Sequence, residues 1–166
     1  MNPTPTGLLE RTKDGVDLIL SRSFHATLED VWTSITDPES TARWFGRWEG
    51  EPGPGQTVRL QMLFEEGQPW TEVTIVECEA PHRLMVTTKD DYGVWRLELT
   101  LSGHGETTTL RFVQHLDDTT MVGEVGPGWE YYLDRLVAAR NGEAPLAFSD
   151  YYPAQKAHYL SAAERL

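Results

Sequence analysis

Apolar and polar side chains alternate along much of this chain, and the period of that alternation changes at a few sharp points. Between Val16 and Arg22 the apolar positions 16, 18 and 20 have the two-residue period of a strand. Thr27-Leu28-Glu29-Asp30 then reads as a helix start, with Thr27 placed to accept from the backbone N–H near Asp30. Leu28, Val31, Trp32 and Ile35 form one apolar helical stripe behind it. Asp37-Pro38 restarts the chain as N-cap and first helical residue, predicting a second short helix to about Trp44. Glu49 to Gly55 holds too many Gly and Pro residues for a regular element.

Period two then returns. Val58, Leu60, Met62 and Phe64 alternate with polar residues, as do Val73 and Ile75, and Arg83 to Lys89 is rich in β-formers. Trp95, Leu97, Leu99 and Leu101 alternate cleanly, and Leu110 and Phe112 follow. The links at Glu66-Gly67-Gln68-Pro69, Asp90-Asp91-Tyr92-Gly93 and Gly103-His104-Gly105-Glu106 suit hairpins. One-sided alternation in successive strands predicts an antiparallel sheet with one covered face. The cover is a long helix announced by Gly126-Pro127-Gly128. It carries Trp129, Tyr132, Leu133 and Leu136 on one side and is stopped by Asn141-Gly142. The expectation is an α+β domain over residues 1–142, with about six strands, two short helices after the first strand and one long helix. Residues 1–14 read as a loose lead-in. Residues 143–166 hold Phe148, Tyr151, Tyr152 and Tyr159, too many aromatics for a free tail, so this segment is expected to pack on the domain or on a partner subunit in a homodimer.

At 166 residues the chain can bury about 70% of its unfolded surface, which supports a core without disulfides or a structural metal. With 14 Lys and Arg against 26 Asp and Glu the formal charge is −12, which repels phosphate backbones and anionic lipid. Nucleic acid is therefore excluded as an expected partner. No apolar run reaches the ~18 residues of a membrane helix, and the first residues lack the basic and apolar regions of a signal peptide, so a cytoplasmic location without membrane insertion is expected.

The run Thr36-Asp37-Pro38 leading to Arg43-Trp44-Phe45, then Pro54-Gly55 before a strand, then Gly128-Trp129 with Leu133 and Leu136, follows the predicted element order. In that order the motifs resemble the SRPBCC superfamily (START/birch-allergen type). Within it they are similar to the branch named after the C-terminal domain of the activator of the heat-shock protein 90 ATPase. The resemblance covers about residues 14–142, and Phe148-x-Asp150-Tyr151-Tyr152-Pro153 is similar to the tail of some bacterial members. It implies a helix-grip fold, a curved sheet around the C-terminal helix with an apolar cavity between them. The superfamily includes lipid carriers, hormone receptors and polyketide-cyclase-like enzymes. The chaperone activators also carry a separate N-terminal domain. Only about 15 residues precede the first strand here, so a chaperone partner is not expected.

The candidate cavity residues are Trp44, Phe45, Met62, Phe64, Val73, Trp95, Leu97, Phe112, Trp129, Tyr132, Leu133 and Leu136, each of which ordinary core packing also explains. Trp44 and Phe45 would sit near the mouth if the family geometry holds. Arg22, Arg43 and Tyr131 are the candidate polar anchors, with Arg22 alternatively paired to an acid such as Asp134. No His or Cys has metal-ligand spacing, so neither a metal nor an organic cofactor is expected. His115 reads as a solvated strand end, and Cys78, between Glu77 and Glu79, as an unreactive thiol. Gly123 to Gly128 lacks the pattern of a phosphate loop and reads as a hinge for the long helix, able to gate the cavity. No catalytic residue can be assigned from spacing. The leading expectation is binding of a small apolar or amphipathic molecule, with a chaperone-associated role or a cyclase- or hydrolase-like activity in the same cavity as alternatives.

Overall fold

A computed structural model describes residues 2–166. Its sheet has eight strands: β1 (Leu8–Arg11), β2 (Val16–Phe24), β3 (Gly46–Glu49), β4 (Thr57–Met62), β5 (Trp70–Glu79), β6 (Arg83–Asp90), β7 (Gly93–His104) and β8 (Thr107–Leu116). They form one antiparallel sheet in the order β1-β2-β8-β7-β6-β5-β4-β3. Helices α1 (Leu28–Thr36) and α2 (Pro38–Thr41) follow β2, and α3 (Val122–Asn141) follows β8. The α+β class and the helix-grip arrangement are as expected, but the count of about six strands is corrected to eight. Both additional strands are four-residue edges, β1 inside the lead-in expected to be loose and β3 directly after Phe45. An edge strand is held by ladder bonds to one neighbour, so it need not show one-sided alternation, and β1 has no fully buried residue.

Local chemistry accounts for the helix starts. Thr27 Oγ1 accepts from Asp30 N at 3.3 Å, and Asp37 Oδ2 accepts from Ser40 N at 3.1 Å. The second helix is shorter than expected: α2 ends at Thr41, and a turn through Phe45 delivers Trp44 and Phe45 to the interior. Phe64 likewise lies in the turn after β4 rather than in the strand.

The long helix begins at Val122, four residues before the Gly-Pro-Gly that was expected to announce it. Val122, Val125 and Trp129 lie three and four residues apart on the buried side, and burying that stripe offsets the poor helix propensity of Gly123, Gly126, Pro127 and Gly128. The expected hinge is thus two turns of regular helix. Gly142, at φ 67°, caps the other end in the left-handed region, as the sequence predicts.

The sheet's inner face meets α3 through Leu18, Leu20, Leu99, Leu110 and Phe112 against Trp129, Leu133 and Leu136, with Val31 and Ile35 of α1 filling one end. Each such side chain contributes about 1.5–3 kcal/mol on burial. Val58, Val73 and Ile75 form a second, separate apolar cluster with Trp48, Leu60, Leu84 and Val86. A sheet-on-helix core normally gives one contiguous cluster; here it is divided, and the division marks a void.

The last segment runs through a single helical turn at Phe148–Asp150 into α4 (Lys156–Glu164), which packs on α3 and β1. Tyr151 and Tyr159 are fully buried there. Among the described residues no helix is long and apolar enough to cross a membrane.

Candidate binding cavity

Between the two apolar clusters lies a cavity of about 190 Å³. One wall is the sheet, through Val58, Val73, Ile75, Val86, Leu97 and Leu99. The other is built from Ile35, Trp44, Phe45, Trp48, Trp129 and Leu133. Its two solvent-exposed lining residues, Pro52 and Cys78, mark the mouth.

Cys78 reaches that mouth through a β-bulge. Ile75 pairs with Val86, whereas Cys78 pairs with Leu84, so β5 carries one extra residue between them. Strict alternation from Val73 and Ile75 would turn Cys78 to the outer face; the bulge reverses parity and brings it beside Leu84 on the cavity side. Alternation does not report the bulge, so nothing in the sequence marked Cys78 as part of the cavity lining.

Nearly every polar group in the wall is satisfied elsewhere. The indole N–H groups of Trp44, Trp48 and Trp129 donate to Ser34 O, Thr36 O and Gln114 Oε1 at 2.9, 2.9 and 2.8 Å. Thr36 and Thr41, also in the lining, donate their hydroxyls to Trp32 O at 2.7 Å and Pro38 O at 3.2 Å. No side-chain donor except the thiol is left for an occupant. An apolar cavity of this kind holds no stable water, since water needs two to four polar partners.

Of the residues expected to line the cavity, Trp44, Phe45, Val73, Leu97, Phe112, Trp129 and Leu133 do so. Met62, Phe64, Trp95, Tyr132 and Leu136 do not. Trp95 and Tyr132 stand behind the wall, in edge contact with Trp129 and Phe45 at ring distances of 6.5 and 4.8 Å. The Tyr132 hydroxyl donates to Glu65 Oε2 at 2.5 Å, and burial together with that carboxylate pushes its pKa up. Phe64 lies under the Arg135 guanidinium at 3.6 Å, Met62 packs against the main cluster, and Leu136 is a buried member of that cluster beneath a surface hollow beside Arg140. The sequence reading missed Ile75, Leu84, Leu99 and Trp48. Leu99 was legible, being on the parity of Leu97.

The three expected anchors fall outside the cavity. Arg22 donates to Glu130 Oε1 at 2.9 Å and to Asp134 Oδ1 at 3.0 Å, the alternative pairing that its buried parity suggested. Burial lowers its pKa, but the two carboxylates outweigh this and hold it above the ordinary value. Glu130, 1% exposed, also accepts from Thr6 Oγ1 at 2.6 Å and Tyr159 Oη at 2.9 Å. Burial raises its pKa, yet these donors leave it below the usual carboxylate value. The cluster ties the N-terminal segment, β2, α3 and α4 together. Tyr131 stacks edgewise on Phe148 and Tyr151 of the tail, and Arg43 is exposed on the outside of the turn after α2. His115, on the outer face of the sheet, bonds Asp17 at 2.7 Å and Glu98 at 3.3 Å. Among the described residues no group of three or more His, Cys, Asp or Glu side chains is arranged to hold a metal.

Residues 25–140 match the family described as Activator of Hsp90 ATPase homolog 1-like protein. The chain belongs to that family. Within the helix-grip superfamily its fold is shared by CalU16 from Micromonospora echinospora, 23% identical with a TM-score of 0.77, over 96% of this chain and 97% of that one. A conserved protein of unknown function from Enterococcus faecalis, EF2215, is 20% identical with a TM-score of 0.76, over 96% and 91% of the two chains. DynU16, a protein of the dynemicin biosynthetic locus, is 22% identical with a TM-score of 0.67, over 86% of this chain and 51% of that one. These likenesses are of fold. No curated protein matches the chain in sequence.

Proposed function

We propose that this family member binds a compact, largely apolar small molecule in the cavity between its sheet and α3. The observation that carries the reading is a void of about 190 Å³ whose wall indoles and threonines all direct their polar hydrogens away from it. A well-packed core closes such space, and apolar wall left open to water forgoes about 25 cal/mol for each Å² that an occupant would cover. An occupant recovers part of that cost. The size decides the class: a dry cavity of about 150 Å³ accommodates benzene, whereas drug-sized ligands need about 300–1,000 Å³. One or two fused rings, or a short alkyl chain, fit.

The test is a titration with naphthalene and with hexylbenzene, followed through the methyl resonances of Val73, Leu97 and Leu99. Saturable shifts confined to the lining support the reading. In Ile75→Phe the ring should fill the void, keep or raise the melting temperature and abolish the shifts. Unsaturable or scattered shifts, or shifts that persist in folded Ile75→Phe, refute it. An acid–base enzyme in the same cavity has less support, because Cys78 is the only titratable side chain in the lining. The family description also suggests a role on a chaperone ATPase. Turnover of an Hsp90-type ATPase with and without the chain separates the two, and the cavity reading expects no change.

A further inference from the structure

A surface groove of about 370 Å³ lies outside the cavity, bordered by Ala42, Arg43, Phe64, Arg135, Ala138 and Glu143. It shares no lining residue with the cavity, whose mouth is at Pro52 and Cys78, so an occupant of one does not enter the other. The turn after α2 separates them: Thr41, Trp44 and Phe45 line the cavity, while Ala42 and Arg43 line the groove. The floor of the groove is apolar, formed by Ala138 and Ala139 of α3 with Pro145 beyond the helix end. Arg43 and Ala139 also border a second hollow, in which Arg140 is paired with Asp30 at 2.7 Å.

Two guanidiniums border the groove without a partner. Arg43 and Arg135 make no ion pair and no hydrogen bond among the described residues, unlike Arg140, which donates to Asp30 and Ser34 at 2.7 and 2.6 Å. The Arg135 guanidinium lies over the Phe64 ring at 3.6 Å and within 5.5 Å of the Tyr131 ring. Two aromatic faces thus hold the fork in place, and little side-chain freedom is left to lose when it binds. Its Nε is buried without an acceptor, so the terminal nitrogens are the ones that can meet a ligand. Glu143 is the one carboxylate in the lining, and Glu65, next to Phe64 in the chain, is engaged by Tyr132. The negative end of α3 is at Asn141, more than a turn beyond Arg135, and its field fades within the last turn. In a chain of net charge −12, this concavity therefore carries two free arginines against one carboxylate. A guanidinium is a planar fork that matches a carboxylate.

We infer that this groove is a second binding site, separate from the cavity, for an aromatic monocarboxylate whose carboxylate is held by Arg43 and Arg135 and whose ring lies on Ala138, Ala139 and Pro145. The balance of two arginines against Glu143 suits a ligand of one negative charge, and the apolar floor suits a ring as its body. At about 370 Å³ the groove falls in the roughly 300–1,000 Å³ range of small-molecule sites, above the cavity's 190 Å³. Neither site depends on the other, so either can be filled while the other is empty.

The test is calorimetry with biphenyl-4-carboxylate and its neutral amide, with the contacted residues read from backbone amide shifts. The acid should bind roughly 10- to 100-fold more tightly than the amide, the range for hydrogen bonds to a charged group. Its shifts should fall on Ala42, Arg43, Ala138 and Ala139 and spare Val73, Leu97 and Leu99. Arg43→Gln/Arg135→Gln should bring the acid down to the amide's affinity and leave the amide unchanged. Arg43→Gln alone, on an exposed turn, should reduce the preference and serves if the double variant does not fold. Ile75→Phe, which fills the cavity, should leave the acid's affinity as it is. Absence of acid binding, equal binding of acid and amide, a preference that survives the arginine substitutions, or binding lost in folded Ile75→Phe overturns the inference, and none of the first three touches the cavity reading.

Discussion

Gly126 and Gly128 lie two residues apart on α3, and adding a methyl group to each should have opposite effects. A Cβ at Gly126 would lie 2.6 Å from three ring carbons of Tyr159, well inside contact distance. That ring has little room to yield, because it is fully buried, faces Gly7 on another side and donates to the buried Glu130 at 2.9 Å. A Cβ at Gly128 would meet nothing within 4 Å. Gly128→Ala should therefore gain the helix-propensity difference of about 1 kcal/mol, raising the melting temperature by about 2–4 °C. Gly126→Ala gains the same increment but overpacks by about 2 kcal/mol and strains a hydrogen bond to a charged group, itself about 2 kcal/mol. The net expectation is a loss of about 3 kcal/mol. Urea unfolding followed by circular dichroism measures both. In a double-mutant cycle with Tyr159→Ala, the penalty at Gly126 should largely vanish, since the clashing ring is gone. Gly126→Ala as stable as the wild type, or Gly128→Ala as damaging as Gly126→Ala, would refute the packing of α4 on α3 described here.

Two further outcomes follow from the site and its supports. Glu130, with its pKa held below the ordinary value, contributes stability that is fully present above that ordinary value and lost as pH falls through the lower, folded one. Glu130→Gln should cost about 1.5–3 kcal/mol at pH 7, the loss of a charge-assisted bond from an Arg22 that keeps Asp134, and should shrink the stability difference between pH 7 and pH 3; an unchanged pH dependence of the urea midpoint would contradict this. Cys78, at the mouth, should react with Ellman's reagent in the empty protein and more slowly with naphthalene bound, in proportion to occupancy; equal rates would place the mouth elsewhere.

Much of the fold was legible because it rests on short-range rules. Alternation in the strands after residue 57, the stripe from Leu28 to Ile35, the caps at Thr27 and Asp37 and the stop at Gly142 each follow from chemistry within a few residues along the chain. The inward parity of Val73, Leu97 and Phe112 belongs to the same class, and so about half of the expected cavity lining coincides with the wall. Short edges were not legible, since β1 and β3 owe their conformation to a neighbour's ladder rather than to a pattern of their own.

By itself, then, the sequence determined the element types, the α+β class and the face each regular strand presents, because those depend on backbone period and local capping. Tertiary structure decided the rest. A bulge in β5 reversed parity and carried Cys78 to the mouth. The Tyr159 ring, far along the chain, made Gly126 a packing position inside a helix instead of the start of one. Glu130 and Asp134 held Arg22 in ion pairs outside the cavity. The cavity wall offers no indole donor because Trp44, Trp48 and Trp129 aim their N–H groups away from it. Those directions were set by the acceptors each indole found, two on neighbouring backbone and one on a facing strand, so the cavity exists only once all the elements have docked.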